Sequence, residues 1–319
     1  MRLLRAFAFA GFMALAACGS QQMTTVPESS SSVVYEGARL IPGDGGEAIE
    51  NSAFIVTGGA ISRIGRKGEL AAPAGAARVD LGGKTVMPAL IGTHVHPGFQ
   101  KGLTYSAENY TRENIASDLN RALYYGVAVV MSQGIEKGDV AFQIRADQEG
   151  GRLGGARLLI AGRGIGAPNA GPGAAAYAGV AYEVTTEDEI RRAVQEQAAK
   201  KVNAIKIWVD DRGGRAPQLP SRLSRAAIDE GHKAGLRVAA HIYYHADALE
   251  LADASIDSFA HLVRDRVMDD ALIAAVVRRN VYVMPNLGGA ERNTHFTTPS
   301  WMDEPYLLGL LRDTVAPEV

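Results

Sequence analysis

The sequence predicts an α/β fold, a TIM-like (β/α)8 barrel lacking its eighth strand and set behind a small N-terminal β-layer, and three observations predict it. After Pro88, short apolar runs alternate with stretches of helical periodicity, histidines or a lysine stand at the ends of several runs, and the alternation stops after seven. Strand and helix alternating at this interval build βαβ units and a parallel sheet. A doubly wound sheet shares that alternation, but a barrel gathers its working residues at the carboxyl ends of several different strands.

The chain has 319 residues, 47% apolar and 21% charged, which suffices for a large core. A formal net charge of −2, with no run of like charge, offers no footprint for nucleic acid.

The first 18 residues read as a segment apart from the fold. Two arginines within residues 1–5, an apolar stretch over 6–14 and the small Ala16 and Ala17 have the layout of a secretory signal. At about a dozen apolar residues the stretch is too short to span a bilayer. Leu15-Ala16-Ala17-Cys18 resembles the lipobox of bacterial lipoproteins, and Cys18 is the one cysteine of the chain. The resemblance implies lipidation of Cys18, export, and a membrane partner reached through a lipid anchor. A plain signal peptide with an incidental cysteine is the alternative. Residues 19–32, rich in Ser, Gln and Thr, read as a flexible tether.

Residues 33–86 carry the β-layer. Val33-Val34-Tyr35, Ala53-Phe54-Ile55-Val56, Ile61-Ser62-Arg63-Ile64 and Thr85-Val86-Met87 are β-prone. Gly43-Asp44-Gly45-Gly46, Thr57-Gly58-Gly59 and Leu81-Gly82-Gly83-Lys84 supply the turns between them.

Residues 87–319 carry the larger domain. Strands are predicted over 89–94, 127–131, 157–161, 204–209, 237–241, 255–261 and 281–284, and helices over 114–125, 187–200, 222–234 and 269–279. In the second helix Ile190, Val194 and Ala198 recur at i, i+4 and i+8, one face of a helix.

His94 and His96 close the first of these strands. Side chains two apart on a strand point to one face, so the two imidazoles can converge on one ion while Val95 packs outward. Neutral imidazoles suit zinc, iron, nickel or manganese-type divalent ions. Alone, the pair is a weak signal. Lys206 lies in the fourth strand, His241 closes the fifth and His261 the sixth.

Gly83-Lys84-Thr85-Val86-Met87-Pro88-Ala89-Leu90-Ile91-Gly92-Thr93-His94-Val95-His96 resembles the first-strand signature of the amidohydrolase superfamily, in its imidazolonepropionase and prolidase-like branch. Gly59-Ala60-Ile61-Ser62-Arg63-Ile64-Gly65 resembles that family's N-terminal β-layer, and the likeness extends from about residue 33 to 287. The resemblance implies one or two divalent ions, in first place zinc, held by His94, His96, Lys206, His241 and His261, with Lys206 N-carboxylated. It implies hydrolysis of an amide or other C–N bond in a small-molecule substrate such as a dipeptide, an N-acyl amino acid or a cyclic amide. A lysine ammonium cannot ligate a cation, whereas the carbamate formed by its neutral amine and carbon dioxide can bridge two.

Other readings stand beside these. Lys206 could pair as an ammonium with Asp210 or Asp211, since an inward lysine needs a partner. Tyr243, His245 and His295 are candidates to contact substrate; the two histidines fall in predicted loops, where a plain loop residue is the first reading. His232 reads as a solvated helix residue. The glycine-rich stretch 162–182 reads as a flexible loop over the site mouth, without the Gly-Lys-Ser/Thr ending of a phosphate loop.

The sequence departs from the family's pattern at Ala89, where glycine is usual, and at Gly92, where an aspartate would stand beside the histidine pair. No eighth strand is predicted after the seventh, only a loop over 288–303 and a short helix over 306–311. Asp313 follows that helix, so the strand-eight aspartate is unassigned and no catalytic base is named. The expectation is a C-terminally truncated enzyme. A metal-binding but catalytically inactive lipoprotein is the alternative, and a metal-free periplasmic binding protein is the third reading.

Overall fold

A computed structural model describes residues 32–172, 175–286, 304–306 and 309. The signal segment with Cys18, the tether before Ser32, the 288–303 loop, His295 and Asp313 lie outside the described residues, and the short helix at 306–311 is described only at 306 and 309. The chain divides into two compact units, Met1–Pro88 and Ala89–Val319.

In the first unit β1 (Ser32–Glu36), β2 (Ser52–Thr57), β3 (Ala60–Arg66) and β4 (Ala77–Asp80) form a sheet in the order β3-β2-β1-β4. β1 and β2 are antiparallel, and so are β2 and β3 across the Thr57-Gly58-Gly59 turn, where both glycines take positive φ. β1 and β4 are parallel. Val34, Phe54 and Ile55 are buried. The run predicted at 85–87 pairs only through Thr85–Val86, parallel to Arg39–Leu40.

In the second unit all the main strands run parallel. β5 (Leu90–Val95), β6 (Val127–Ser132) and β7 (Arg157–Ile160) form one ladder in the order β7-β6-β5. β8 (Ile165–Gly166), β9 (Ile205–Trp208), β10 (Val238–His241), β11 (Ser258–Ala260) and β12 (Tyr282–Met284) follow one another in a second, with Tyr182–Glu183 outside β8. The sequence predicts one curved sheet, whereas the described residues form two ladders. β7 and β8 belong to one run of chain that changes partner: its first part pairs with β6 and its second with β9. The change falls at Gly162, whose φ of +70° interrupts an extended run that a side chain would have kept straight.

Helices α1 (Arg112–Tyr124), α2 (Val140–Glu149), α3 (Glu187–Ala199), α4 (Ser221–Lys233), α5 (His245–Asp253) and α6 (Asp270–Arg279) join the strands. α3 begins at a capping box in which the Thr186 hydroxyl accepts from the Glu189 N–H while the Glu189 carboxylate accepts from Thr186. Ile190 and Val194 are buried on it and Ala198 is half-buried. α6 ends at Asn280 in the left-handed region, φ 53°, a conformation asparagine tolerates. Among the described residues no helix is long and apolar enough to cross a membrane.

The largest core packs β9, β10 and β11 against α3, α4 and α5 through residues such as Ile207, Leu223, Val238 and Phe259. A second core joins β6 and β7 to α1 and α2 through Ile115, Leu119, Ile144 and Leu158. β5 lies at the outer edge of its ladder, and its Leu90 and Ile91 are 51% and 62% exposed.

Gly98 sets the chain as it leaves the histidine pair. Its φ is +92°, its N–H donates to Asp118 at 2.7 Å, and a Cβ there would lie 2.5 Å from Ile115 Cγ1. Gly98→Ala should therefore lower unfolding stability by about 1–3 kcal/mol. Urea denaturation checks this, and an unchanged midpoint would contradict it.

Candidate functional site

Both ladders deliver polar side chains at their carboxyl ends. On β5 the two-residue spacing brings the Nε2 atoms of His94 and His96 to 3.3 Å from each other, and Val95 packs against the second core. His94 lies 4.7 Å from His261 between ring centroids, and His261 lies 4.7 Å from His241. The His241 ring is 5.3 Å from Trp208, whose ring is 4.8 Å from Lys206 Nζ. The five side chains singled out in the sequence thus form one contiguous group, two from the first ladder and three from the second.

Backbone conformation contributes to this convergence. β11 stops at Ala260, three residues long where seven were predicted, and His261 takes a φ of +87° with its N–H on the Met284 carbonyl at 2.9 Å. Left-handed backbone is uncommon outside glycine and costs on the order of 1–3 kcal/mol, so the position is held by its surroundings.

Lys206 is fully buried, and its amine has no hydrogen-bond partner. Burial draws that amine down to about 7, with the charge of Asp210 working in the opposite direction. Neither aspartate weighed as its partner is free for the role. Asp210 lies 3.1 Å from His241 Nε2, and Asp211 accepts from the Tyr244 hydroxyl at 2.7 Å. Burial alone would raise the Asp210 carboxyl, but its hydrogen bond to His241 and the charges around it hold it low. Room for the lysine stem comes from Gly134, at φ +85°, where a Cβ would lie 2.6 Å from Lys206 Cγ.

All four histidines are held neutral. Burial, then the charges of Lys206 and His241, lower His96 to about 3. Burial, followed by His241 and Lys206, lowers His261 to about 2. His94 is depressed further by burial and then Lys206, and in His241 burial outweighs the raising effect of Asp210. Neutral imidazole is the ligating form.

Among the described residues no three His, Cys, Asp or Glu side chains already form a coordination shell. The donor atoms explain this. His94 and His96 turn Nε2 toward each other, while His241 gives Nε2 to Asp210. The Nδ1 atoms of His94, His96 and His241 are buried without partners, as is Lys206 Nζ. Polar atoms orphaned in this way carry a desolvation cost that an ion or a modified lysine would relieve. The donor set therefore fits a divalent ion, and the Asp210–His241 contact is the carboxylate–histidine pairing that orients a ligating imidazole.

Other predicted residues lie elsewhere or differ in setting. His245 opens α5 instead of standing in a loop; it is buried, with Nε2 2.9 Å from Asp269. Tyr243 is half-buried beyond the end of β10, edge-on to Tyr244 at 4.9 Å between ring centroids, with the Arg264 guanidinium 5.3 Å from its ring. His232 lies in the last turn of α4, exposed as expected, 2.8 Å from Asp257. The 162–182 stretch is not a free loop. It contains β8, Arg163 donates to the Val180 and Ala181 carbonyls, and Tyr177 is buried with its ring 5.5 Å from His96. At Gly92 a side chain would meet Val95, Val127 and Val130 at 3.4–3.5 Å, so a carboxylate there would face valines rather than the imidazoles.

Two buried residues of the second unit, Trp208 beside Lys206 and Glu136, escaped the sequence reading, and Asp210 was weighed only as a partner for Lys206. Trp208 and Asp210 follow Lys206 at two-residue spacing, the same signal that linked His94 with His96. Glu136, fully buried beyond β6, had no such signal. Burial pushes its carboxyl up to about 7 against the pull of the Ser132 hydroxyl and nearby backbone N–H groups.

No family model matches the chain. An uncharacterized protein of Mycobacterium tuberculosis is 32% identical over 136 residues, 41% of this chain, and the same holds for one of Mycobacterium bovis. The match spans about a third of the length of these curated relatives, 34%. Among solved structures, a Xaa-Pro dipeptidase with bound methionine superposes with a TM-score of 0.70 at 21% identity, covering 90% of this chain and 73% of that one. The chain has the amidohydrolase-superfamily fold. Molinate hydrolase matches with a TM-score of 0.69 at 20% identity over 91% of this chain and 69% of its own. A Bifidobacterium longum protein assigned as a prolidase matches at 26% identity and a TM-score of 0.66, over 82% and 62% of the two chains.

The depressed histidines fix how stability depends on acidity. Each folded pKa lies below the ordinary 6.5, so below that pH the unfolded chain takes up protons that the folded chain refuses. Stability is fully present above about pH 6.5 and falls toward pH 3, by up to about 1.4 kcal/mol per pH unit for each histidine. Urea denaturation of the metal-free chain between pH 7 and 4 should show this slope, reduced in His96→Asn; equal slopes in the two proteins would contradict it.

Proposed function

We propose that this chain is a metal-dependent hydrolase of an amide or other C–N bond, with a dipeptide, an N-acyl amino acid or a cyclic amide as substrate. One observation carries the reading: four neutral imidazoles and a buried, unpartnered lysine amine on neighbouring strands form one group in an amidohydrolase-superfamily fold. The similar structures, a Xaa-Pro dipeptidase and molinate hydrolase among them, support the bond class. In the same reading the two parallel ladders are sectors of one barrel, and Cys18 carries a lipid that holds the exported protein at a membrane.

His94 and His96 would hold the ion through the Nε2 atoms that face each other, His241 through Nδ1, and His261 and Lys206 would complete the set. Zinc is the first choice for such a donor set. A divalent ion held there would supply Lewis acidity toward a carbonyl and toward water.

The chain's own groups do the rest. Asp210 fixes the tautomer of His241 by accepting a proton-bearing Nε2, which leaves Nδ1 as a lone-pair donor. Burial keeps the lysine amine substantially unprotonated near neutral pH, so it can add to carbon dioxide and present oxygens in place of an ammonium. Tyr177, buried beside His96 and backed by the buried Phe99, would keep water from that flank of the site. Tyr243, beyond the end of β10, is the proposed substrate contact.

Elemental analysis of the full chain after zinc and bicarbonate supplementation should find one or two ions per chain. Asp210→Asn should weaken zinc binding by about tenfold to a hundredfold, read by calorimetry. Turnover of Xaa-Pro dipeptides, N-acyl amino acids or cyclic amides should accompany the bound ion and vanish in His94→Asn. Absence of metal would overturn the reading; bound metal without turnover on the panel would favour the inactive metal-binding protein.

A further inference from the structure

Two residues past Lys206 on β9, Trp208 leaves the strand on the same face, and the lysine Nζ lies 4.8 Å from its ring. An indole nitrogen can only donate a hydrogen bond. Here it is buried and has no acceptor. Leaving such a donor unpaired forfeits its hydration without return, so a phenylalanine of similar shape would serve packing better. The ring is nonetheless accommodated at the expense of a neighbour: a Cβ at Gly164 would collide with Nε1. Side-chain space is thus given up to keep a polar edge in this place.

Two neighbouring acceptors are already engaged. The Gly134 carbonyl accepts from the Gly164 N–H at 2.8 Å, and Asp210 is taken by His241. Lys206 presents the complementary deficiency, a buried amine with no partner. Carbon dioxide resolves both. The neutral amine forms an N–C bond with the carbon, one C–O π pair moves onto oxygen, and a proton leaves the nitrogen for water. A carbamate with two acceptor oxygens, further from the lysine stem than Nζ, is the product.

We propose that the Trp208 indole N–H donates to one oxygen of a carbamate on Lys206, which makes Trp208 a positioning residue for that group. The inference rests on the carboxylation of Lys206 in the reading above. Its consequence is a carbamate held in one orientation before any ion arrives, because the donor belongs to the same strand as the lysine.

The chain has two tryptophans, Trp208 and Trp301, so a 15N-labelled sample gives two indole signals, and Trp301→Phe assigns them. On addition of 13C-bicarbonate to full-length protein, with and without zinc, the carbamate carbon signal should appear. The Trp208 indole proton should then move downfield, and neither change should occur in Lys206→Met. In Trp208→Phe, bicarbonate titration should show carbamate formation weakened by about tenfold or more, the loss expected for a donor to a charged acceptor. A carbamate signal with an unmoved Trp208 indole proton would overturn this inference alone, whether or not Trp208→Phe folds. No carbamate signal in the wild-type chain, even with zinc, would overturn it together with the carboxylation of Lys206.

Discussion

A lysine amine enclosed in the protein with nothing to accept its protons is the constraint around which the second unit is arranged. Charge is expensive in such a place, so the amine is pushed toward neutrality, and a neutral amine is a nucleophile rather than a counter-ion. Gly134 opens the wall for its stem, and Gly164 does the same for Trp208. Its nearest candidate counter-charge, Asp210, is committed to His241. The imidazoles follow the same logic: burial beside one another and beside the lysine disfavours their charged forms, and the lone pairs stay available.

Much of this was legible before any coordinates. The strand positions of β5, β6, β9 and β10 follow from short apolar runs, and α1, α3, α4 and α6 from helical spacing, each within a residue or two. His94, His96, Lys206, His241 and His261 stand out because ligand-type residues are costly at the ends of buried strands unless they are used. α2 and α5 were missed for a local reason. Neither has a side-chain cap at its N-terminus, and α5 is nine residues long, too short for its spacing to rise above that of a loop.

What the sequence concealed is mostly a matter of register. Asp210 looked like a partner for Lys206, four residues away. The pairing of Trp208 with His241 across β9 and β10 carries the next same-face residue, Asp210, to the imidazole instead. Gly92 looked like the loss of a carboxylate beside the histidines, but the irregular register between β5 and β6 turns that position toward valines. The change of partner between β7 and β8 depends on which strand each half meets, information that no local pattern holds.

That change of partner places a seam through the middle of the second unit. His94 and His96 stand on one side of it, Lys206, His241 and His261 on the other. An ion of the kind proposed would therefore act as a clasp, stitching together two hydrogen-bonded halves that, among the described residues, meet along the run 157–166. Loading would close the seam and chelation would loosen it, coupling the rigidity of the whole domain to the free concentration of a small inorganic solute.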